Sequence, residues 1–138
     1  MPALGYIFCI LGALSILNGI WMIGSAPTWF ENLPGRVADF GPYNGHFIRD
    51  IGLAYLISGI GFVWSAFHLR ACRPIIIAQA FWAGGHALLH VADMIVGRVG
   101  AIHWILDFPG VLFPGVVLGV LVVPRVWRIA NPASVEVA

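Results

Sequence analysis

Charge is what this sequence has least of. Charged residues make up 9% of its 138 residues, and lysine is absent, whereas a soluble domain has about 25% charged residues. A chain with so few charges cannot cover its own surface in water, but lipid requires no polar cover. Because the net charge is only +1, there is also no electrostatic reason to expect nucleic-acid binding.

Cysteine and strand-like patterns are also scarce. Cys9 and Cys72 are the only cysteines, and they form no C-x-x-C motif, so we expect inert thiols and no zinc or redox motif of that type.

The N-terminus lacks the basic segment of a signal peptide, and the apolar run that follows is long for one, so we expect a retained first helix. No strand alternation persists along the chain. The fold class that remains is all-α.

Hydrophobic residues, by contrast, make up 60% of the chain and fall into four long runs. These runs cover about residues 4–24, 47–69, 74–96 and 104–123. Each is close to the roughly 20 residues that cross a hydrocarbon core about 30 Å thick. The sequence therefore predicts a single integral membrane domain over residues 1–138. We expect an antiparallel bundle of four transmembrane helices with both termini on the same side.

Local signals refine the helix ends. Asn44 is a suitable N-cap for the second helix, and Pro74 suits the first turn of the third. Pro109 and Pro114 predict a kinked fourth helix. Tryptophans near the predicted boundaries favour an interfacial belt; they are Trp21, Trp29, Trp104 and Trp127.

The placement of arginine predicts the orientation. Four arginines fall on the face that holds the termini, namely Arg70, Arg73, Arg125 and Arg128. Three fall on the other face, namely Arg36, Arg49 and Arg98. The positive-inside rule therefore favours both termini in the cytoplasm, and we expect a multi-pass protein of the inner (cytoplasmic) membrane.

The outer face, opposite the termini, receives most of the histidine and acidic residues. His46 and Asp50 are four residues apart on the second helix, and His103 and Asp107 have the same spacing on the fourth. Residues four apart share one helical face. The third helix carries a longer series with the same periodicity; it consists of His86, His90 and Asp93. Three helices can thus direct His/Asp pairs to one end of the bundle, where helical bundles often build metal sites.

The leading hypothesis is a metal site at that outer end. His46, Asp50, His86 and His90 are the predicted ligands, since imidazole and carboxylate suit copper, zinc or iron. The predicted second shell or second metal site consists of Arg49, Asp93, His103 and Asp107. Ionisable groups at membrane depth cost about 2.5–3.5 kcal/mol, which favours a function for them.

Simpler interpretations stay open beside this one. His86 and His90 could form hydrogen bonds between helices or line the water interface. Asp50 could pair with Arg49 or Arg98. His103 and Asp107 are near the interface, where plain solvation is favoured over ligation.

A motif on the second and third helices resembles a group of uncharacterised four-helix bacterial membrane proteins. Their pattern is approximately N-x-H-x-x-R-D-x-G followed by H-x-x-x-H. Here it is Asn44 to Gly52, with His46, Arg49 and Asp50, followed by His86 and His90. The resemblance covers only these two helices, implies that these side chains act together, and brings no established activity.

Three function classes follow from these observations. The first is the metal-binding membrane protein, with a redox or hydrolytic role or a role in metal delivery, and whether it is an enzyme stays open. The second is an accessory subunit of a larger membrane enzyme, because the chain is small and has short loops; partner subunits or a homo-oligomer are then expected. The third is a haem b or quinone protein, with His46 facing His86 or His90.

Overall fold

The computed structural model describes residues 2–132, and that part consists of α-helices and turns with no strand. The helices are α1 (Ala3–Gly24), α2 (Ala26–Asn32), α3 (Gly45–Phe67), α4 (Arg73–Ile95), α5 (His103–Leu106), α6 (Phe113–Leu121) and α7 (Pro124–Ala130). A 3-10 turn covers Val37–Phe40, and a π-helical turn covers Phe108–Leu112. The all-α prediction is confirmed. Met1 and residues 133–138 lie outside the described residues. The expectation that both termini lie on the same side of the membrane therefore stays a prediction.

Three helices are long and apolar enough to cross a membrane. They are α1, α3 and α4, with mean hydropathies of 2.0, 1.4 and 1.4 over their most apolar stretches. Their ends lie within two residues of the predicted bounds. The signals at those ends act as expected, because the Asn44 side chain accepts a hydrogen bond from the backbone N–H of Phe47 at 3.1 Å and Pro74 lies in the first turn of α4.

The fourth predicted span is not one straight helix. Proline lacks a backbone N–H, and at Pro109 the chain forms the π-helical turn, in which the N–H of Leu112 donates to the carbonyl of Asp107 five residues back. Helix α6 follows, and α7 is bent by 94° from the segment Phe108–Leu121. By length and composition, this bent pair becomes a fourth candidate span if its two parts are counted as one.

Helices α1 and α3 pack through glycines at matched positions. A Cβ atom added at Gly19 would lie 2.6 Å from the carbonyl oxygen of Gly52, and one at Gly12 would lie 2.9 Å from that of Gly59. The pairs 12–59 and 19–52 run in opposite directions along the chain, so the two helices are antiparallel. Backbones approach this closely only where side chains are absent.

The other long contacts are antiparallel as well. On α3 and α4, the Gln79 side-chain amide donates to the Ser58 carbonyl at 3.4 Å, and the rings of Tyr55 and Trp82 meet edge to face. Gly115 of α6 lies against α4, where an added Cβ would be 2.9 Å from the Ala83 carbonyl. Gly119 has nothing within 4 Å, so only the first glycine of the Gly115-xxx-Gly119 pair makes a close contact.

This topology gives the molecule two distinct ends. We call the end where α1 and α4 finish and α3 begins the histidine end. The opposite end, with the α3–α4 link and α7, is the arginine end; it holds Arg70, Arg73, Arg125 and Arg128.

At the arginine end the chain after α6 folds back onto the helices. Trp127 is buried beside Leu4, Phe8 and Cys72, so it is a core residue and not the belt residue that its position predicts. The Asn131 side-chain amide donates to the Leu69 carbonyl at 2.6 Å. Burial raises the pKa of the Cys72 thiol, which supports the expectation of an inert cysteine.

The long segment after α1, predicted as a loop, folds over the histidine end. Trp29 of α2 is buried and donates its indole N–H to the Asn18 side chain of α1 at 2.8 Å. Trp29 is therefore not a belt residue either. Helix α2 and the 3-10 turn behind it carry charged side chains onto this end.

Candidate functional site

The centre of the histidine end is a buried imidazole between two carboxylates. His103 is fully buried. Its Nε2 lies 3.1 Å from Oδ2 of Asp39, and its Nδ1 lies 3.3 Å from Oδ1 of Asp107. Both nitrogens of this ring therefore face an acidic oxygen.

Asp107 joins two histidines. It is only 3% exposed, and its second oxygen, Oδ2, lies 2.8 Å from Nδ1 of His90 on α4. The Asp107 carboxylate thus connects His103 on the short helix α5 with His90 on the long helix α4. Four side chains form one continuous row in the order Asp39, His103, Asp107, His90, which we call the His/Asp row.

The backbone around Asp107 explains how one carboxylate reaches both rings. His103 lies one helical turn before it on α5, which brings the two side chains together. The π-helical turn begins directly after Asp107, whose carbonyl accepts from the N–H groups of both Val111 and Leu112 at 2.9 and 3.0 Å. π-helical turns occur frequently at functional sites.

The 3-10 turn closes the row on the loop side. It presents Asp39 to His103, and the next residue, Phe40, packs its ring against both His90 and His103, with centroids 4.6 and 4.8 Å apart. Arg36 forms an ion pair with Asp39 at 3.1 Å and is largely exposed. The row therefore begins at a charged surface group and passes behind an aromatic ring into the protein.

His86 extends the row towards the middle of α4. Its ring meets that of His90 edge to face at 4.6 Å, and Trp82 lies parallel to it at 6.1 Å. His86 is two residues past Gly84, the midpoint of α4, or about 3 Å along the axis at about 1.5 Å per residue.

The contacts have a chemical consequence. A neutral imidazole has one N–H, and a carboxylate has none. Two hydrogen bonds from His103 to carboxylates require one extra proton, either on the ring or on an acid. Each of the three contacts in the His/Asp row therefore joins an imidazole nitrogen to a carboxylate oxygen that can share a proton with it.

The predicted metal ligands are not gathered into one group. His46 contacts Asp50 at 3.4 Å, with side chains 88% and 61% exposed, whereas His86 and His90 lie at the His/Asp row. Among residues 2–132 there is no group of three or more His, Cys, Asp or Glu side chains placed to hold a metal ion.

The predicted second shell divides in the same way. Asp93 pairs with Arg98 at 2.9 Å on the surface, so Arg98, one of the two arginines suggested as partners of Asp50, has a different partner. His103 and Asp107 are buried, and the expectation of plain solvation for them is wrong. Arg49, predicted beside Asp50, lies on α3 next to the exposed His46–Asp50 pair.

Asp39 is the functional candidate that spacing could not find. It lies in the segment between the first two long apolar runs and has no histidine four residues away on a helix. Its contact with His103 spans 64 positions in the chain. The one available signal was an acidic residue in a long, turn-rich segment of a chain with few acids.

Comparisons with family models, with curated proteins and with solved structures find no match to this chain.

Proposed function

We propose that this chain is a membrane protein that transfers protons between the surface at its histidine end and the level of His86. The observation that carries the proposal is the fully buried His103 with a carboxylate on each ring nitrogen. Buried ionisable groups in membrane proteins commonly form proton relays. Alternating imidazole and carboxylate groups can donate and accept in turn.

The direction of the row supports this proposal. At one end Asp39 is next to the exposed Arg36, where water can exchange protons. At the other end His90 contacts His86, near the middle of α4. A proton taken up at the loop has a hydrogen-bonding partner at each step as far as His90, and the ring of His90 contacts that of His86. A bound cofactor or a partner subunit would be the recipient there.

Proton exchange at His103 tests the relay. In Asp39→Asn the amide keeps the size of the side chain but cannot carry the proton. Positioned acid–base groups speed proton transfer by about 10²–10⁴-fold, so we expect exchange of the His103 ring N–H with water to slow by that order. Nitrogen-15 NMR of the protein in lipid nanodiscs measures this rate.

Whether the exchange rate at His103 falls or rises in Asp39→Asn distinguishes a proton relay from a purely structural contact. If Asp39 only holds the loop down, its loss opens the site and exchange becomes faster, which would contradict the proposal. Asp50→Asn, in the exposed pair with His46, is the matched control and leaves the exchange rate at His103 unchanged.

A metal site at His86 and His90 is the second candidate. It is favoured by the contact of Asp107 with Nδ1 of His90, since a carboxylate on one ring nitrogen orients the other towards a metal. The two rings lie one helical turn apart. Water, a cofactor or a second copy of the chain would supply the remaining ligands for copper, zinc or iron.

Elemental analysis tests this second candidate. We expect about one zinc ion per chain after loading and desalting, and a complete loss in the double variant His86→Ala/His90→Ala, because two nitrogen donors one turn apart form the chelate. His46→Ala should retain the metal. Zinc retained by the double variant, or absent from the unaltered protein, would rule the site out. Loss of zinc in His46→Ala would instead support the four-ligand site predicted from the sequence.

The membrane arrangement is part of the same proposal. We place the arginine end in the cytoplasm, because four of the seven arginines lie there and positive charge favours the cytoplasmic side. The histidine end then faces outwards, and the segment from α5 to α6 supplies the fourth pass, with α7 following it at the arginine end. A small chain whose proton relay stops inside the membrane also fits the role of an accessory subunit. The group that receives the proton would then belong to a partner subunit.

A further inference from the structure

The arginine end carries a feature that the His/Asp row does not use. Of the six acidic residues in the chain, five lie at the histidine end; they are Glu31, Asp39, Asp50, Asp93 and Asp107. The sixth, Glu136, lies outside the described residues. Within residues 2–132, the arginine end therefore presents basic side chains and no acidic one.

Helix α7 is placed across this end. Its 94° bend from the preceding helical segment sets it perpendicular to a segment that would cross the membrane, and hence along the membrane surface. Trp127 anchors its inner side in the core. Arg125, Arg128 and Ile129 are exposed, Ile129 by 74%. Basic and apolar side chains on one exposed surface are typical of a helix that lies in the lipid headgroup region.

Two buried donors at this end have no acceptor. They are Nε of Arg73 and Nε1 of Trp127, which form no hydrogen bond within the described part of the chain. Both are donors only. Arg73 opens α4 next to Cys72, which packs in the same core cluster as Trp127. These two donors thus lack an acceptor, and the same end has no acidic side chain among residues 2–132.

An apolar cleft lies at the same end, along the link between α3 and α4. Its lining includes Pro2, Ala66, Phe67 and Leu69, with His68 and Arg70 at the same place. Phe67 is 65% exposed. An acyl chain fits such a lining, and a headgroup attached to it would lie at the level of the arginines.

We propose that the arginine end binds an anionic phospholipid, with Arg73, Arg125 and Arg128 at the phosphate and the apolar cleft at an acyl chain. Charge complementarity and the apolar cleft together favour a lipid over a free anion, which has no apolar part. Basic pockets between membrane helices bind such headgroups in other proteins. The inference is independent of the proton relay, which lies at the other end.

Lipid titration followed by native mass spectrometry tests this site. Each basic residue near an anionic surface contributes about fivefold in affinity, so we expect Arg125→Gln/Arg128→Gln to bind phosphatidylglycerol about 25-fold more weakly. The matched control is Arg49→Gln/Arg98→Gln, which makes the same charge change at the histidine end and leaves the affinity unchanged. Arg125→Lys/Arg128→Lys keeps the charge and retains most of the binding.

Several results would overturn the proposal. These are an equal loss in the control variant, no loss in the glutamine variant, or equally tight binding of the neutral phosphatidylcholine. Competition by millimolar inorganic phosphate would identify a free-anion site and reject the lipid. If the glutamine variant unfolds, as judged by circular dichroism, the lysine variant and the phosphate competition still decide the outcome.

Discussion

Replacement of Asp107 by alanine is expected to cost about 3–5 kcal/mol of folding free energy, the range for removing one partner of a buried charged pair. Asp107 is 3% exposed and contacts both His90 and His103. Its loss leaves two imidazole nitrogens at the histidine end without an acceptor. Unfolding of the detergent-solubilised protein by increasing denaturing detergent measures the change.

The chain offers a matched control for this prediction. His46 and Asp50 have the same residue types at the same spacing, but their side chains are 88% and 61% exposed. Asp50→Ala should therefore change the stability by no more than about 1 kcal/mol, as is usual for surface pairs. Asp107→Asn keeps an acceptor oxygen and should cost less than Asp107→Ala. Equal effects of Asp107→Ala and Asp50→Ala would show that burial of the His/Asp row contributes nothing.

These two pairs differ in a property that their spacing in the sequence does not predict. The spacing of His46 and Asp50 is the same as that of His103 and Asp107, so periodicity predicts both contacts and both are present. What separates them is burial. Burial depends on the loop that lies over each pair, and the sequence contains no periodic signal for the 3-10 turn that brings Asp39 and Phe40 onto His103.

The long helices were predictable for a clear physical reason. A run of about 20 apolar residues must satisfy its backbone internally in lipid, so length and composition alone define α1, α3 and α4. The same reasoning does not apply after His103. There Pro109 and Pro114 remove backbone donors, and the predicted kink becomes a π-helical turn followed by a sharp bend before α7.

The two tryptophans assigned wrongly have a common cause. Trp29 and Trp127 lie near the ends of predicted spans, where the belt position is the usual one. Each belongs to a seven-residue helix that sequence patterns do not detect, α2 or α7. Each of these short helices packs back onto the long ones and carries its tryptophan into the core, so the tertiary contact overrides the positional preference.

The glycine contact between α1 and α3 carries the second large prediction. Gly19→Ala would place a Cβ atom 2.6 Å from the carbonyl oxygen of Gly52. That oxygen is backbone and cannot rotate away, so the two helices must separate. Overpacking of this kind costs about 1–3 kcal/mol or somewhat more, and the reciprocal variant Gly52→Ala meets Cβ of Met22 at 2.8 Å.

Gly84→Ala is the matched control, because this glycine also lies inside a long helix but has nothing within 4 Å of an added Cβ. It should leave the stability unchanged or raise it by about 0.5–1 kcal/mol, since alanine favours the helix more than glycine does. Resistance to denaturing detergent, measured in parallel for Gly19→Ala and Gly84→Ala, gives the comparison. If both variants are as stable as the unaltered protein, the antiparallel contact of α1 and α3 does not depend on close backbone approach. If Gly19→Ala alone is destabilised, the pairs 12–59 and 19–52 set the register of the two helices, and with it the position of the segment that carries Asp39 to His103.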